Sequence, residues 1–460
     1  MDLKNVLVIL VIASTINAVK KNYDGYKLYK VVPKDENEVN ILQDLYTTGL
    51  GEFWIDYFKV EDDVRFLVSP KNYDKFQEII QVGNVAAKEI ISDVQKVIDE
   101  QLKPAISRAS ESYLSYSWSV YHDLDTIYNW LDELQENHPD VVRTVIMGRS
   151  VEERNIKGVI LNFHPERTNP LIGMIEGTLH AREWISTATV TWIIKEFLTS
   201  TDPQVRALAE NFEWHIFPVV NPDGYVYTFT DNRMWRKNRS PASLKTCAED
   251  VDDDMSHGVD LNRNFDFEWG TVGASNDSCL NTYTGPFPNS EPETKAISQY
   301  ALNLSFRGRF MYYLSYHSYS QLIIVPYSHV ESDETLLSGN YGDMFEIAIR
   351  SSDAMRQKYG TNYRVGLSFH VLYPMSGSSF DWVKYNTNVP VSYLIELRDL
   401  GEYGFLLPPS QIIPTALETM DGLIEMDRNA INMRYYTSGA NSILISTAAV
   451  VFGVIMCLLS

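Results

Sequence analysis

Apolar residues recur along this chain with two different periods, and the periods alternate in a regular order. Over 26–32 the spacing predicts a strand. Over 36–46, Val39, Leu42 and Leu45 or Tyr46 share one face of a helix. Strand patterns at 53–60 and 64–68 follow, and Pro70 opens a second helical pattern that runs through Ile80. Strand, helix, strand, strand, helix predicts a small α+β domain, an open antiparallel sandwich. A charged helix over 91–102 then runs out to Pro104 and a polar linker, Arg108-Ala109-Ser110-Glu111.

From about residue 113 the pattern describes a second, larger domain. An amphipathic helix over 122–134 is ended by His138-Pro139. Strands are predicted at 141–147, 156–162, 170–175, 214–220, 310–316 and 391–395, and a helix at 184–198. This alternation predicts an α/β fold, a mixed sheet with helices on both faces. In such sheets ligands bind beyond the carboxyl ends of strands. The search for chemistry therefore starts there.

The termini carry different patterns. Residues 1–18 read as a secretory signal peptide, with Lys4, an apolar core over 6–12 and Ala18 as the small residue before cleavage. Secretion puts the three cysteines in an oxidising compartment. Cys247 and Cys279 flank a loop-rich region and form the natural disulfide pair, and Cys457 lies in a different kind of segment. Sequons at Asn238, Asn276 and Asn303 fit a secreted chain. At the other end, 443–459 is apolar and sits at the short limit for a membrane span. Ser438, Gly439 and Ala440 precede it, and no basic residue follows. A glycolipid-anchored surface protein is favoured over a single-span one, with 437–460 as the anchor segment; a buried core helix is the third reading.

Composition narrows the function class. The chain has 460 residues, 45% hydrophobic and 22% charged, with a net charge of −21. Such a balance is globular and argues against nucleic acid as a partner. The acidic run Glu249-Asp250-Val251-Asp252-Asp253-Asp254 reads as a solvated loop, with a calcium site as its alternative.

The candidate chemistry begins at the 170–175 strand, which leads into Leu179-His180-Ala181-Arg182-Glu183-Trp184. A histidine and a carboxylate three apart at a strand-to-helix junction point at one spot, and zinc takes both donor types. Alone, the pair is ordinary surface chemistry at a helix start. It gains company at other strand ends: His317-Ser318-Tyr319-Ser320 after one, Glu396-Leu397-Arg398-Asp399 after another. Two imidazoles, one carboxylate on metal and one as base are the parts of a zinc hydrolase. Two cationic stretches, Asn232 to Arg239 and Val259-Asp260-Leu261-Asn262-Arg263-Asn264, add groups suited to binding a carboxylate.

In order, His180-Ala181-Arg182-Glu183-Trp184, Asn221-Pro222-Asp223-Gly224-Tyr225, Trp235-Arg236-Lys237, Gly258 to Asn264, His317 to Gln321, Glu396 to Asp399 and Tyr403-Gly404-Phe405-Leu406-Leu407-Pro408 carry a family. The chain from about 113 to 428 resembles the zinc metallocarboxypeptidases of the digestive carboxypeptidase A and B type. The resemblance implies one Zn2+ on His180, Glu183 and His317, with Asp260 orienting His180. It implies Glu396 as the general base on the zinc-bound water and Arg236 as the oxyanion stabiliser. Asn262, Arg263 and Tyr373 would hold the substrate's terminal carboxylate, and Arg182 would contact substrate further from its C-terminus. Phe380, before Asp381-Trp382, takes the place at the base of the side-chain pocket, with Ile324, Met375, Leu394, Ser328 and Ser368 around it. An uncharged Phe380 selects neither Lys and Arg nor Asp and Glu, so an apolar C-terminal residue is expected. The resemblance makes 19–108 an activation pro-segment and 109–436 the catalytic domain. Lys103 is shielded by Pro104 and Arg108 is not, so a trypsin-like protease is the expected activator. The expected substrates are peptide or protein C-termini. Two other functions fit parts of the pattern: a zinc amidohydrolase of small amides, and a silent binding protein on the same fold. The Asn262–Arg263–Tyr373 clamp speaks against the first, and the complete catalytic set against the second.

Overall fold

A computed structural model describes residues 20–55, 58–103, 116–241, 243, 247, 253–330 and 337–437. The leader pattern, Arg108 with its linker, residues 249–252 of the acidic run and the C-terminal apolar run lie outside the described residues. Among those described, no helix is long and apolar enough to cross a membrane.

The N-terminal domain runs β1 (Lys27–Val31), α1 (Glu36–Thr47), β2 (Glu52–Phe53), β3 (Val64–Val68), α2 (Tyr73–Val82), β4 (Ala87–Ile91) and α3 (Val94–Gln101). Its sheet is antiparallel in the order β2-β3-β1-β4. The period of two divides the sheet's work. Tyr29, Val31, Phe66 and Val68 pack with Leu42, Leu45, Phe76 and Ile80 of α1 and α2. Leu28, Leu67 and Ile91, from the opposite face, pack with Met234, Tyr319, Phe405 and Leu406 of the second domain. Asp35 and Asp93 cap α1 and α3, each accepting a backbone N–H three residues on. Two predictions change here. Of the strand expected over 53–60, Phe53 closes β2, and the other described residues of that stretch form no strand. Residues 87–91, where no strand is predicted, form β4, because an edge strand with Lys88 and Glu89 facing water lacks the apolar alternation that betrays a buried one.

The second domain runs α4 (Leu124–Asn137), β5 (Val142–Arg149), β6 (Asn155–Leu161), β7 (Leu171–Gly177), α5 (Trp184–Thr199), α6 (Pro203–Asn211), β8 (Phe212–Phe217) and α7 (Pro222–Thr230). It continues through α8 (Pro292–Arg307), β9 (Arg309–Ser318), β10 (Leu322–Val325), α9 (Tyr341–Tyr359), β11 (Arg364–Leu367), α10 (Ser368–Val371), α11 (Ser379–Thr387), β12 (Val391–Leu397) and α12 (Ile412–Asn432). The strands form one mixed sheet in the order β11-β10-β12-β9-β7-β8-β6-β5. Its centre, β12-β9-β7-β8, is parallel, so four carboxyl ends lie side by side. Helices cover both faces. On one, Ile175, Tyr312 and Leu314 pack with residues of α4, α5, α9 and α12. On the other, Met174, Tyr313 and Leu394 pack with Ile297 of α8 and Phe380 and Val383 of α11. Being buried on both faces is why the central strands read as unbroken apolar runs.

Cys247 and Cys279 form the expected disulfide, with Cα atoms 5.6 Å apart. Of the three sequons, Asn238 is fully buried and its amide donates to Glu291 and Glu293, which leaves no room for a glycan. Asn276 and Asn303 are exposed.

Candidate metal centre and substrate cavity

Strand register gathers the donor residues. Glu396 on β12 pairs with His317 on β9, and Tyr316 next to it pairs with Gly177, the last residue of β7. The chain leaves β7 through Thr178 at positive φ and returns as α5, with His180 and Glu183 in the turn between. His317 and Glu396 thus stand one residue inside the ends of their strands, which run two residues beyond the predicted 310–316 and 391–395.

One ligand atom from each of His180, Glu183 and His317 lies within 4.8 Å of the others, and all three residues are buried. Nδ1 of His180 lies 2.8 Å from Glu183 Oε1, and Nδ1 of His317 lies 3.0 Å from Glu183 Oε2. The two Nδ1 atoms are 3.1 Å apart. Their other ring nitrogens are already engaged: His180 Nε2 with Asp260 Oδ1 at 3.1 Å, and His317 Nε2 with Ser315 Oγ at 3.1 Å. The Asp260 carboxylate keeps the proton on His180 Nε2 and leaves its Nδ1 lone pair free, and the Ser315 hydroxyl, accepting from Nε2, does the same for His317. Two imidazole lone pairs and a carboxylate converging on one buried point are the donors zinc takes, so the residues fit the ion.

Charges around the point are balanced. Burial raises Glu183, but His180 and His317 outweigh it and hold the carboxyl far below its usual range. For His317 burial lowers the pKa, and the charge of Glu183 reverses this and leaves it raised. Asp260 is fully buried, yet Arg236 and then His180 hold it well below the ordinary range. Arg236 reaches it through Nη2 at 2.8 Å and Nε at 3.2 Å. Glu396 is pushed up to about 8, by burial first and by Glu183 next. A divalent cation on Glu183 offsets that second cause. The Oε2 atom of Glu396 is buried and has no hydrogen-bond partner among the described residues.

The same cavity is lined by His180, Glu183, Arg236, Asn262, Arg263, Tyr373, Met375, Leu394 and Glu396, and it encloses about 40 Å³. Arg263 is fixed by Gly273 O at 2.7 Å and Asn262 O at 2.9 Å, and its Nη2 donates to Tyr373 OH at 3.1 Å. Phe380, expected at the base of the side-chain pocket, is fully buried in the apolar cluster that also holds Ile324 and Leu394. Met375 and Leu394, expected around it, line the cavity, and Met375 Sδ lies 3.7 Å from Arg263 Nη1.

The remaining wall comes from the N-terminal domain, a contribution no motif announces. Trp54 and Ile55 line the cavity. The Trp54 ring lies 5.4 Å from that of Phe405 and 6.3 Å from that of Tyr319. Arg182, fully buried, sits over Phe405 at 4.1 Å and reaches Glu52 at 3.5 Å. Elsewhere on the interface Arg65 donates to Gly401 O and Leu400 O, and Gln101 bonds Leu407 O and Arg233. No motif announces Ser315 either, although its place two residues before His317 on one strand face puts it under the ring.

Comparison with known proteins agrees with this geometry. A family profile described as zinc carboxypeptidase matches residues 127–422, and one described as carboxypeptidase activation peptide matches residues 29–101. The chain is 37% identical over 434 residues to zinc carboxypeptidase A 1 of Anopheles gambiae, covering 94% of this chain and 95% of the relative. It is 34% identical over 426 residues to carboxypeptidase A1 of Bos taurus, covering 90% and 96%. Among solved structures, thrombin activatable fibrinolysis inhibitor superposes with a TM-score of 0.79 at 31% identity, over 88% of this chain and 98% of that one. Carboxypeptidase A of Helicoverpa armigera gives 0.77 at 28%, over 90% and 99%. The chain belongs to the zinc carboxypeptidase family, as a zinc-dependent exopeptidase precursor with its activation peptide in place.

Proposed function

We propose that the catalytic domain releases apolar residues from peptide C-termini, with Glu396 as general base, Arg236 as oxyanion partner and Asn262, Arg263 and Tyr373 as the carboxylate clamp. The observation that carries this is one cavity holding an unpartnered Glu396 oxygen, the metal ligands and a fixed Arg263. Held by His180, Glu183 and His317, zinc supplies a Lewis acid and makes water a stronger acid. Arg263 and the Asn262 amide bind the free carboxylate, which places the last peptide bond beside Glu396. Glu396 Oε2 takes a proton from the attacking water and delivers it to the leaving nitrogen as the C–N bond breaks. Arg236, aligned by Asp260, donates to the oxygen that gains charge. Met375 and Leu394 present an apolar wall to the departing side chain, which favours aliphatic residues.

Glu52, Trp54 and Ile55 occupy the approach used by the rest of the peptide, so the uncleaved chain is closed to substrate. A trypsin-like cut at Arg108 would begin their release. The leader pattern, the Cys247–Cys279 disulfide and the C-terminal apolar run support a secreted enzyme tethered outside the cell by a glycolipid. Release by a phosphatidylinositol-specific lipase tests the tether; a chain retained on the membrane refutes it. The specificity is tested by kcat/KM of trypsin-treated protein on peptides ending in Leu, Phe, Lys and Glu. The Leu peptide should lead, and best turnover of the Lys peptide refutes the assignment.

A further inference from the structure

Glu176 is a fully buried carboxylate on β7, four residues before His180, with no part in the mechanism above. Its Oε1 accepts from Ser379 Oγ at 2.9 Å. Burial first, and then the Glu176 charge, pushes the nearby Tyr313 phenol well above its ordinary value. A carboxylate at this depth carries a desolvation cost, which the hydroxyl of the first residue of α11 and the neighbouring Tyr313 phenol help to offset.

Ser379 connects this acid to the cavity. Its backbone N–H, one of the groups a helix start leaves without an internal partner, donates to Asn262 Oδ1 at 2.9 Å. A backbone N–H only donates, so the atom facing it must be the carboxamide oxygen. The Nδ2 donors of Asn262 are therefore turned away from α11. Asn262 lines the cavity, and its own N–H is held by Asp260 Oδ1 at 2.9 Å. The residue is thus clamped at both ends with one donor group left over.

We propose that Glu176 and Ser379 are positioning residues for substrate carboxylate binding. Glu176 fixes the Ser379 hydroxyl, Ser379 fixes the Asn262 carboxamide, and Asn262 presents its amide donors to the C-terminal carboxylate of the peptide. This rests on Asn262 and Arg263 being the carboxylate clamp. A helix start that merely needs support would show itself as lost stability or lost kcat, not as weaker carboxylate binding.

The test is a double-mutant cycle on the zinc-loaded, cleaved enzyme, with a hydroxamate that carries no carboxylate as a control ligand. Ser379→Ala keeps the backbone N–H to Asn262 but cuts its anchor to Glu176, and should raise KM for free-carboxylate peptides by up to about tenfold, the worth of the charged hydrogen bond it removes. It should leave kcat and the hydroxamate Ki unchanged. In an Asn262→Ala background the same change should add nothing, because its path runs through Asn262. Glu176→Ala should raise KM similarly, and Glu176→Gln, which keeps an acceptor for the hydroxyl, should raise it less. Equal KM effects of Ser379→Ala in both backgrounds, a fall in kcat at constant KM, or a matching loss of hydroxamate binding overturns the proposal. If Ser379→Ala does not fold, Ser379→Cys takes its place in the cycle under the same criteria. An Asn262→Ala enzyme with unchanged KM instead overturns the clamp itself.

Discussion

Replacing Asp260 by Asn changes one atom and removes one charge, and the structure says where the damage goes. Asp260 Oδ1 accepts from His180 Nε2 and Asn262 N, and Oδ2 accepts from Arg236 Nε and Nη2. An Asn side chain offers one oxygen and one NH2 group. If the NH2 faces His180, two donors meet unless the imidazole moves its proton to Nδ1, which consumes the lone pair needed for zinc. Loss of such a supporting partner weakens metal binding about 10- to 100-fold. That is roughly 1.4–2.7 kcal/mol at about 1.36 kcal/mol per factor of ten. If the NH2 faces Arg236, a guanidinium only 7% exposed loses its counter-charge. Breaking a buried pair on one side destabilises by roughly 3–5 kcal/mol. Zinc affinity by chelator competition reads the first outcome, and urea denaturation of the metal-free protein reads the second. Asp260→Asn should fail at least one. A variant with wild-type zinc affinity and wild-type stability refutes the placement of Asp260 as the support of both His180 and Arg236.

Other expectations follow from the same geometry. Glu396→Gln should lower kcat by about 10²- to 10⁴-fold, the usual loss of a general base, with zinc content unchanged by metal analysis. Trp54→Ala together with Glu52→Gln should raise peptidase activity of the uncleaved chain, because the cavity wall and the Arg182 contact both go; unchanged basal activity contradicts the plug. Burial, against several hydrogen bonds, raises Glu293 to about 7. Folded protein then binds more protons than unfolded between about pH 4 and 7, so its contribution is full below that window and is lost as pH rises through it. Urea denaturation at pH 5 and pH 8 should show a smaller pH difference for Glu293→Gln than for wild type. Expressed in a secreting eukaryotic cell, the protein should carry glycans at Asn276 or Asn303 and none at Asn238, as read by mass spectrometry.

The ligand set was legible because metal chemistry admits few residue types and strand ends confine where they sit. His180 and Glu183 are local in sequence, and His317 and Glu396 fall at the ends of apolar runs that only buried parallel strands produce. Asp260 and Arg236 were legible only through the resemblance, since nothing in their local spacing distinguishes them from surface ion pairs. Harder to see were features created by packing across the chain. Trp54 sits in what patterns as a strand, and its contact with Phe405 joins residues of two domains. How deeply Phe380 sits behind the cavity that Met375 and Leu394 line was hidden for a similar reason: alignment ranks positions along the chain, whereas depth depends on how α11 seats against β12. Glu176 was invisible as chemistry because an acid beside His180 reads as part of the strand exit. Edge strand β4 and the short β10 and β11 lack the length or alternation that a pattern needs.

Activity on paired peptides tests the central claim most directly: one ending in a free carboxylate, the other in the corresponding amide. The zinc-loaded chain, cut at Arg108, should bind one zinc and release the last residue of the first peptide while leaving the second intact. Bound zinc with no release from either peptide, or equal release from both, contradicts the account.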